Sequence, residues 1–160
     1  MINARDEKYR MIKKTPSQSY TEQVHMVNLS DLNGSKRLFG GTLLSWIDMT
    51  AGIVARRHAE TNVSTAAIDN LHFIAPAYRN DLIVLCGKVT HVGRTSMEVR
   101  VCSFVEKSDG SRTKINEAYL VMVALDENDK PCEVPALLCE TEEEIADMLA
   151  GEERRKKRLG

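Results

Sequence analysis

The sequence lacks any apolar run long enough to cross a membrane as a helix. Its longest apolar stretch, residues 118–125, has about 8 residues, whereas a membrane-spanning helix needs roughly 20. Residues 1–18 are charged and polar and contain no apolar signal core, which argues against a secretory leader. We therefore expect a cytoplasmic protein without a membrane partner.

Cysteine and histidine, which could form a disulfide framework or a metal site, are also few. The four cysteines are scattered and form no C-x-x-C pair: Cys86, Cys102, Cys132 and Cys139. The four histidines are equally dispersed and share no metal-ligand spacing: His25, His58, His72 and His91. This pattern is typical of free thiols in a reducing compartment. The sequence therefore predicts no metal centre and no disulfide framework.

An excess of charge of either sign is missing as well. The 160 residues carry 22 Lys and Arg against 23 Asp and Glu, a formal net charge of −1. Nucleic-acid-binding proteins need a basic surface, so we expect no nucleic-acid partner. The balance is nevertheless uneven: residues 1–14 carry +3 and residues 154–158 carry +5, which leaves −9 on the body between them. Such a body must bring its few cations together to bind an anionic ligand.

The chain otherwise has the composition of a globular domain, with 42% hydrophobic and 28% charged residues. Its length suits one compact domain, and no internal repeat or low-complexity linker divides it. We predict a polar N-terminal arm over residues 1–18, a single folded domain over 19–138, and a C-terminal helix with a basic tail over 139–160.

The hydrophobic pattern predicts one long helix and a series of strands. Residues 41–58 are apolar on nearly every side of a helix, so we expect this helix to be buried. Strands rich in Val, Ile, Thr and aromatic residues are predicted at 21–29, 63–74, 82–92, 95–106 and 113–125. Short turns between them favour antiparallel pairing. The predicted fold class is α+β: a curved antiparallel sheet of about five strands wrapped around the long helix, plus a C-terminal helix at 141–157.

Two local patterns add detail to this prediction. Apolar and charged residues alternate along residues 96–106, which predicts that the charged side chains face away from the helix: Glu98, Arg100 and Glu106. The C-terminal helix opens with Thr141 as its predicted N-cap and Glu144 at the capping-box position.

Asp48 is a lone charged residue in the middle of the apolar helix. An ionised carboxylate is costly to bury without partners, so Asp48 must be paired, protonated or facing a polar cavity. One interpretation is a structural aspartate bonded to a nearby hydroxyl such as Ser45 or Thr50. The other is a catalytic carboxylate.

The start of the helix favours the catalytic interpretation. Phe39-Gly40-Gly41 opens it, and the first amides of a helix have no internal acceptor, so the Gly41 N–H is available to an anion or a developing oxyanion. Acyl transfer needs an oxyanion donor and a base or nucleophile. Two helical turns, about 10 Å, separate Gly41 from Asp48. A bend of the chain or a second protomer must therefore bring both to one substrate.

A set of short motifs follows in order over about residues 20–138. They are Asn33-Gly34, FGGTLLSWID at 39–48, Asp69-Asn70, Phe73, VGRTSMEV at 92–99 and VALD at 123–126. The set resembles the hot-dog-fold acyl-CoA thioesterases of the cytosolic acyl-CoA hydrolase type.

The resemblance implies a hot-dog fold whose protomers pair into dimers and assemble further into trimers of dimers. It implies active sites at the dimer interface, with Asn33 and Asp48 from opposite protomers as the catalytic pair and the Gly41 N–H polarising the carbonyl. Asp48 acts there as general base or as nucleophile, and both roles stay open. The motif residues assigned to substrate binding are Phe39, Gly40 and Phe73.

Arg94 is the candidate cation for the phosphates of CoA. It opens a strand beside two hydroxyl residues, Thr95 and Ser96, and guanidinium and hydroxyl groups both donate to phosphate oxygens. The alternative is a turn with a solvated arginine. Other candidate cations are Arg56, Arg57 and Arg79. The basic run 154–158 either folds over a neighbouring CoA or forms a solvated helix end.

The leading prediction is an enzyme that hydrolyses acyl-CoA to a carboxylic acid and CoA. It needs no metal or redox cofactor, and CoA is present only as part of the substrate. One alternative is a dehydratase or hydratase, which needs a histidine beside the carboxylate, and none lies near residues 39–48. Another is a non-catalytic module that binds acyl-CoA or a nucleotide. The expected partners are acyl-CoA and further copies of the chain, at least as a dimer and most simply as a hexamer.

Overall fold

The structure is a computed structural model and describes residues 4–160. Its elements follow in this order: α1 (Ala4–Met11), β1 (Lys13–Lys14), β2 (Thr21–Met26), α2 (Gly40–Ala59), β3 (Asn62–Phe73), β4 (Leu82–Val92), β5 (Ser96–Glu106), β6 (Arg112–Leu125), β7 (Ala136–Leu137) and α3 (Glu142–Leu159). The predicted α+β class is confirmed, with a long central helix, a five-stranded antiparallel sheet and a C-terminal helix. No helix within residues 4–160 is long and apolar enough to cross a membrane.

The sheet orders its five strands β2-β4-β5-β6-β3, and every neighbouring pair is antiparallel. Tight turns join the central strands: the Gly93 N–H donates to Ser96 O between β4 and β5, and the Lys107 N–H donates to Ser111 O between β5 and β6. The edges are therefore β2 and β3. All 12 residues of β3 lie on an edge that is paired with β6 on one side and open on the other.

Helix α2 lies across one face of the sheet. Its inward side chains are buried against the strands: Leu43, Ile47, Ala51, Val54 and Ala55. Gly87 on β4 permits the close approach of the helix, since a Cβ there would lie 2.9 Å from Val54 Cγ2. Burial of this apolar face supplies most of the stability of the helix. The helix ends where Glu60 adopts the left-handed conformation, with a φ of 55°.

One side of α2 is not covered within the chain. Met49 is 56% exposed, and Ser45 and Arg56 are exposed as well. The prediction of a helix buried on every side is therefore wrong for the single protomer, because one sheet covers only one side of a helix. The uncovered side of α2 and the open edge of β3 are both available for contact with another chain.

Helix α3 packs on the opposite face of the sheet. Thr141 caps it as predicted: Thr141 Oγ1 accepts the Glu144 N–H at 3.1 Å, and Glu144 Oε2 accepts the Thr141 N–H at 3.2 Å. Gly151 allows the helix to approach β4, since a Cβ there would lie 2.6 Å from the Cβ of His91. The two helices thus sandwich the central strands.

Glu98 on β5 faces outward in the apolar–charged alternation of the strand, but α3 covers this face of the sheet. It faces away from α2 as predicted, yet it is only 4% exposed because α3 covers it. Its carboxylate accepts two hydrogen bonds from Arg154, at 2.8 and 3.0 Å, and one from Thr90 at 2.6 Å. Arg100 likewise pairs with Asp147 of α3 at 3.2 Å. These outward-facing charges hold a helix and are shielded from water.

The N-terminal segment folds against the end of α2 and begins with a helix that the sequence analysis did not predict. Tyr9 of α1 is buried and donates to Glu60 Oε2 at 2.8 Å. Arg5 donates to the carbonyl of Ala59 at 3.0 Å. Strand β1 then pairs in parallel with β7. These contacts close the C-terminal end of the central helix.

Candidate active site

Asp48 is partly buried and lies beside the uncovered side of α2. Its Oδ1 accepts a hydrogen bond of 2.6 Å from Thr65 Oγ1 on β3. The two hydroxyls that a purely structural aspartate would use, those of Ser45 and Thr50, donate instead to carbonyls of their own helix at 2.7 and 2.8 Å. Within residues 4–160, nothing donates a hydrogen bond to Asp48 Oδ2. One carboxylate oxygen is therefore oriented, and the other is available to water or substrate.

Thr65 is a candidate site residue that the sequence pattern does not single out. It pairs with Met122 on β6, and the register then slips by one residue before Ala67 pairs with Val121. Such a bulge bends a strand and redirects its side chains. In the sequence, Thr65 is one of several hydroxyl residues in the run 61–65, and alternation does not single it out. Only the bulge and the placement of α2 bring its hydroxyl to Asp48.

The start of α2 carries two glycines beneath two phenylalanine rings. A Cβ on Gly41 would lie 2.6 Å from Phe39 Cε1, and a Cβ on Gly40 would lie 3.5 Å from Phe73 Cζ. Both rings are more than half exposed. The Gly41 N–H belongs to the first turn, where no carbonyl of the helix can accept it. The structure thus brings three predicted substrate-binding residues next to the predicted oxyanion donor.

A cleft of about 400 Å³ opens beside these rings. Its lining is mainly apolar, with Leu43, Phe73 and Ile115, and also includes two polar residues, Asn33 and Arg37. Asn33 Oδ1 accepts the main-chain N–H groups of Ser35 and Arg37, at 2.9 and 3.2 Å. No acceptor within residues 4–160 takes a hydrogen bond from Asn33 Nδ2. The amide is thus held by its oxygen, and its nitrogen is left to donate to a ligand in an apolar cleft.

Arg94, Thr95 and Ser96 form the turn between β4 and β5. The Arg94 side chain is 75% exposed, and its Nη1 lies 3.8 Å from Glu133 Oε1. A single ion pair at that distance and exposure contributes little. The guanidinium of Arg94 is therefore accessible to a ligand at the turn.

Within one chain, this turn is distant from the cleft. Ser96 pairs with Val123 on β6, whereas Phe73 pairs with Asn116 on the same strand. Seven residues of strand, about 23 Å, separate these two levels. The structure therefore places the candidate site residues in two groups. Asp48, its partner Thr65 and the Arg94 turn lie toward the start of β3, and the cleft lies at its other end.

The basic run 154–158 belongs to α3, where Lys156 and Lys157 are exposed while two of the arginines are paired within the chain. Arg154 is bound to Glu98, and Arg158 pairs with Asp69 on β3 at 2.7 Å. The other candidate cations do not join the site either. Arg57 donates to Thr21 Oγ1 at 3.0 Å, while the remaining two are exposed and make no ion pair within residues 4–160: Arg56 and Arg79.

Two of the four histidines, His58 and His25, each contact a group other than Asp48. Burial lowers the pKa of His58, and the neutral ring donates from Nε2 to the carbonyl of Pro135 at 2.8 Å. Burial also lowers the pKa of His25, which stacks on Trp46 with ring centroids 4.3 Å apart. In the part of the chain that the structure describes, no group of three or more histidine, cysteine or carboxylate side chains could hold a metal ion.

Comparison with known proteins identifies a family. The sequence model of the thioesterase superfamily matches residues 36–110 of this chain. The chain is 39% identical to the "uncharacterized acyl-CoA thioester hydrolase" of Bacillus subtilis, over 82% of this chain and 80% of that protein. It is 33% identical to the cytosolic acyl coenzyme A thioester hydrolase of Rattus norvegicus, over 81% of this chain but only 35% of that longer protein.

Solved structures agree with the sequence relatives. A hexameric acyl-CoA thioesterase without ligand superposes with a TM-score of 0.87 at 40% identity, covering 94% of this chain and 99% of that one. An acyl-CoA hydrolase from Staphylococcus aureus, in complex with butyryl coenzyme A, coenzyme A and coenzyme A disulfide, has the same TM-score at 31% identity and covers 92% and 90%. With its helix-and-sheet architecture and these relatives, the chain belongs to the thioesterase superfamily, among the hot-dog-fold acyl-CoA thioester hydrolases.

Proposed function

We propose that this chain hydrolyses acyl-CoA thioesters to a carboxylic acid and CoA, with Asp48 as the catalytic carboxylate. One observation carries the assignment: Thr65 holds one oxygen of Asp48 while the other faces no partner within residues 4–160. In the reaction an oxygen nucleophile adds to the thioester carbonyl carbon, the C–S bond breaks, and the CoA thiolate takes up a proton. Asp48 either removes a proton from the attacking water or attacks the carbonyl itself to form a mixed anhydride, which water then hydrolyses to release the acid and regenerate the carboxylate.

Other groups at the two ends of β3 have complementary roles. The Gly41 N–H donates to the carbonyl oxygen as negative charge develops on it. Asn33 Nδ2 orients the water or the thioester from the apolar cleft. Phe39 and Phe73, packed over the glycines, contact the acyl chain. Arg94 and the adjacent hydroxyls donate to CoA phosphates.

Pairing of two β3 edges about a two-fold axis supports a site shared by two chains. In an antiparallel pair of identical strands, the start of one lies beside the end of the other. Thr65 lies near the start of β3, and Phe73 ends it. The Asp48–Thr65 pair of one protomer then meets the Gly41 amide and the cleft of the second. This pairing also covers the exposed side of α2.

Relatives support the assignment of residues. Structures of the Staphylococcus aureus hydrolase include alanine variants of an asparagine, of an aspartate fifteen residues further on, and of a threonine seventeen residues after that. Asn33, Asp48 and Thr65 have the same two spacings. The hydrolase name of these relatives also favours the enzyme over a non-catalytic binding module. A hydratase is not favoured, because His58 is engaged with Pro135.

We further propose a homo-oligomer built from such dimers, as a hexamer, because related thioesterases are described as hexameric. The reaction needs only water, a carboxylate and amide donors, so the proposal includes no metal or redox cofactor. A cytoplasmic location is in keeping with the cytosolic relative of Rattus norvegicus.

Thiol release from a panel of acyl-CoA chain lengths tests the activity. We expect Asp48→Asn to lower kcat by about 10³-fold, because neither base nor nucleophile remains, with the thermal unfolding temperature nearly unchanged. Asp109→Asn in the β5–β6 turn is the matched control and should keep full activity. A folded Asp48→Asn protein with near-normal kcat would contradict the assignment.

A further inference from the structure

Arg155, on α3, lies against the turn that carries Arg94. A Cβ built on Gly93 would lie 3.5 Å from the Arg155 guanidinium carbon and 3.1 Å from Ser96 Oγ. The two donors therefore flank one point of the backbone, close enough for one phosphate group to touch both. Because residue 93 is a glycine, no side chain separates them. Arg94, the next residue, adds a second guanidinium at this turn.

Arg155 differs from its neighbours in having no acidic partner. Three of the other four cations in the run 154–158 have an acidic partner: Arg154 pairs with Glu98, Lys156 with Glu153, and Arg158 with Asp69, while Lys157 is exposed. Arg155 is partly buried and makes no ion pair or hydrogen bond within residues 4–160. A partly desolvated guanidinium without a counter-charge is stabilised when an anion binds it, and the exposed guanidinium of Arg94 on the same turn can contribute to that binding.

The position of Arg155 is fixed by the docking of α3. On one side Arg154 binds Glu98 and its guanidinium carbon lies 3.8 Å from the ring centroid of Tyr119. One turn earlier, Glu152 Oε2 lies 2.6 Å from His91 Nε2. A guanidinium held in advance loses less entropy when it binds a phosphate. Arg155 is therefore an organised donor and not part of a solvated tail.

The Arg94 turn also lies at the end of the sheet where Thr65 contacts Asp48. Ser96 pairs with Val123 on β6, and Val123 pairs with Ser64 on β3, the residue before Thr65. Two strand spacings, about 10 Å, thus separate the turn from the residue that holds Asp48. The turn and the Asp48–Thr65 pair therefore lie at the same end of the sheet.

We propose that Arg155 binds a phosphate of the CoA part of the substrate, together with Arg94 and Ser96, so that α3 forms one wall of the CoA site. The proposal rests on the acyl-CoA hydrolase function given above. It assigns to the C-terminal helix a specificity role: selection of thioesters that carry the phosphorylated nucleotide over thioesters that lack it.

The test compares Arg155→Gln with Lys156→Gln, a charge-matched control whose side chain is exposed and pairs only with Glu153. Three thioesters with the same acyl group are used: acyl-CoA, acyl-dephospho-CoA and acyl-pantetheine. We expect Arg155→Gln to raise KM for acyl-CoA about 5- to 20-fold, with little change in kcat and none in KM for acyl-pantetheine. Arg155→Lys should recover part of the loss, since it restores the charge but not the fork.

Acyl-dephospho-CoA, which lacks the 3′-phosphate, identifies which phosphate of CoA Arg155 binds. If Arg155 binds the 3′-phosphate, Arg155→Gln leaves KM for acyl-dephospho-CoA unchanged; if it binds the diphosphate, KM rises for both nucleotide substrates. Equal KM effects on all three substrates, or no effect on any, overturn the proposal. Failure of the wild-type protein to release thiol from any acyl-CoA overturns the proposed function instead, so the two failures are distinguishable.

Discussion

Single residues determine how Asp48 is presented. The carboxylate shares its helix with apolar neighbours, and the one donor that reaches it comes from another element, Thr65 on β3. A hydrogen bond to one oxygen fixes the plane of the carboxylate and the direction of the second oxygen. Orientation of a catalytic carboxylate has a large effect on rate, because a displacement of about 1 Å can lower the reaction rate about 10²-fold.

Replacement of Thr65 tests this orientation. Thr65→Val keeps the shape and the strand propensity but removes the donor, so we expect kcat to fall about 10- to 100-fold with a smaller change in KM. Thr65→Ser, which keeps the hydroxyl, should retain most of kcat. Steady-state thiol release measures both.

Thr113→Val, at an exposed position of β6, controls for loss of a threonine hydroxyl in the sheet. It should leave kcat and KM unchanged. A Thr65→Val protein with wild-type kcat would show that Asp48 needs no help from β3.

At the scale of whole elements, salt bridges attach helix α3 to the sheet. Its contacts with the sheet combine Arg154 on Glu98 with Asp147 on Arg100 and Lys88. Glu98 is almost fully buried, so its charge depends on Arg154 for compensation. This attachment also positions Arg155.

Loss of Arg154 should therefore destabilise the whole protein. We expect Arg154→Met to lower the free energy of unfolding by about 3 kcal/mol, because a buried carboxylate loses its counter-charge. Lys156→Met, which removes an exposed pair on the same helix, should cost less than about 0.5 kcal/mol. Urea unfolding followed by circular dichroism gives both values. Equal losses of unfolding free energy in the two variants would show that the Arg154–Glu98 pair does not stabilise the fold more than an exposed pair does.

The sequence predicted most elements well, because their patterns are long. The five strands and two long helices recur with small shifts at their ends: the central helix begins at Gly40 against a predicted 41, and the first strand ends at Met26 against a predicted 29. The elements it missed, α1, β1 and β7, are short and charged or only two residues long. Their formation depends on docking at the end of α2, which no local pattern encodes.

For the whole molecule, the distribution of site residues matters most. One chain separates the Asp48–Thr65 pair from the cleft of Asn33 and Phe73, whereas the proposed pairing of two chains along β3 would bring these groups together. In that proposed dimer neither protomer is active alone, and each of the two sites takes residues from both chains.

Mixed dimers test the shared site. Asp48→Asn and Asn33→Ala should each be nearly inactive as homo-oligomers. Co-expression of the two variants with different tags, followed by tandem purification, yields mixed hexamers in which about half of the dimers contain one copy of each variant when pairing is random. Each such dimer has one site with both native residues and one site with neither. We therefore expect the doubly tagged protein to recover about a quarter of the wild-type kcat per chain.

Recovery would not occur if each site were built from one chain, since every protomer then carries a defect. A mixture of the two variants purified separately, without subunit exchange, is the matched control and should stay inactive. Thiol release and sedimentation velocity on the same samples measure activity and assembly together.

The sequence by itself determined the class of fold, the lone carboxylate at Asp48 and the glycine pair at the helix start, because periodicity, composition and misplaced charge are local properties. Only the tertiary structure decided that Thr65 holds Asp48, that Glu98 is buried beneath α3, and that Arg155 faces the Arg94 turn. The physical reason is that these contacts join residues far apart in the chain. They depend on strand register, on a bulge and on the face to which a helix docks, and none of these is visible in a linear pattern.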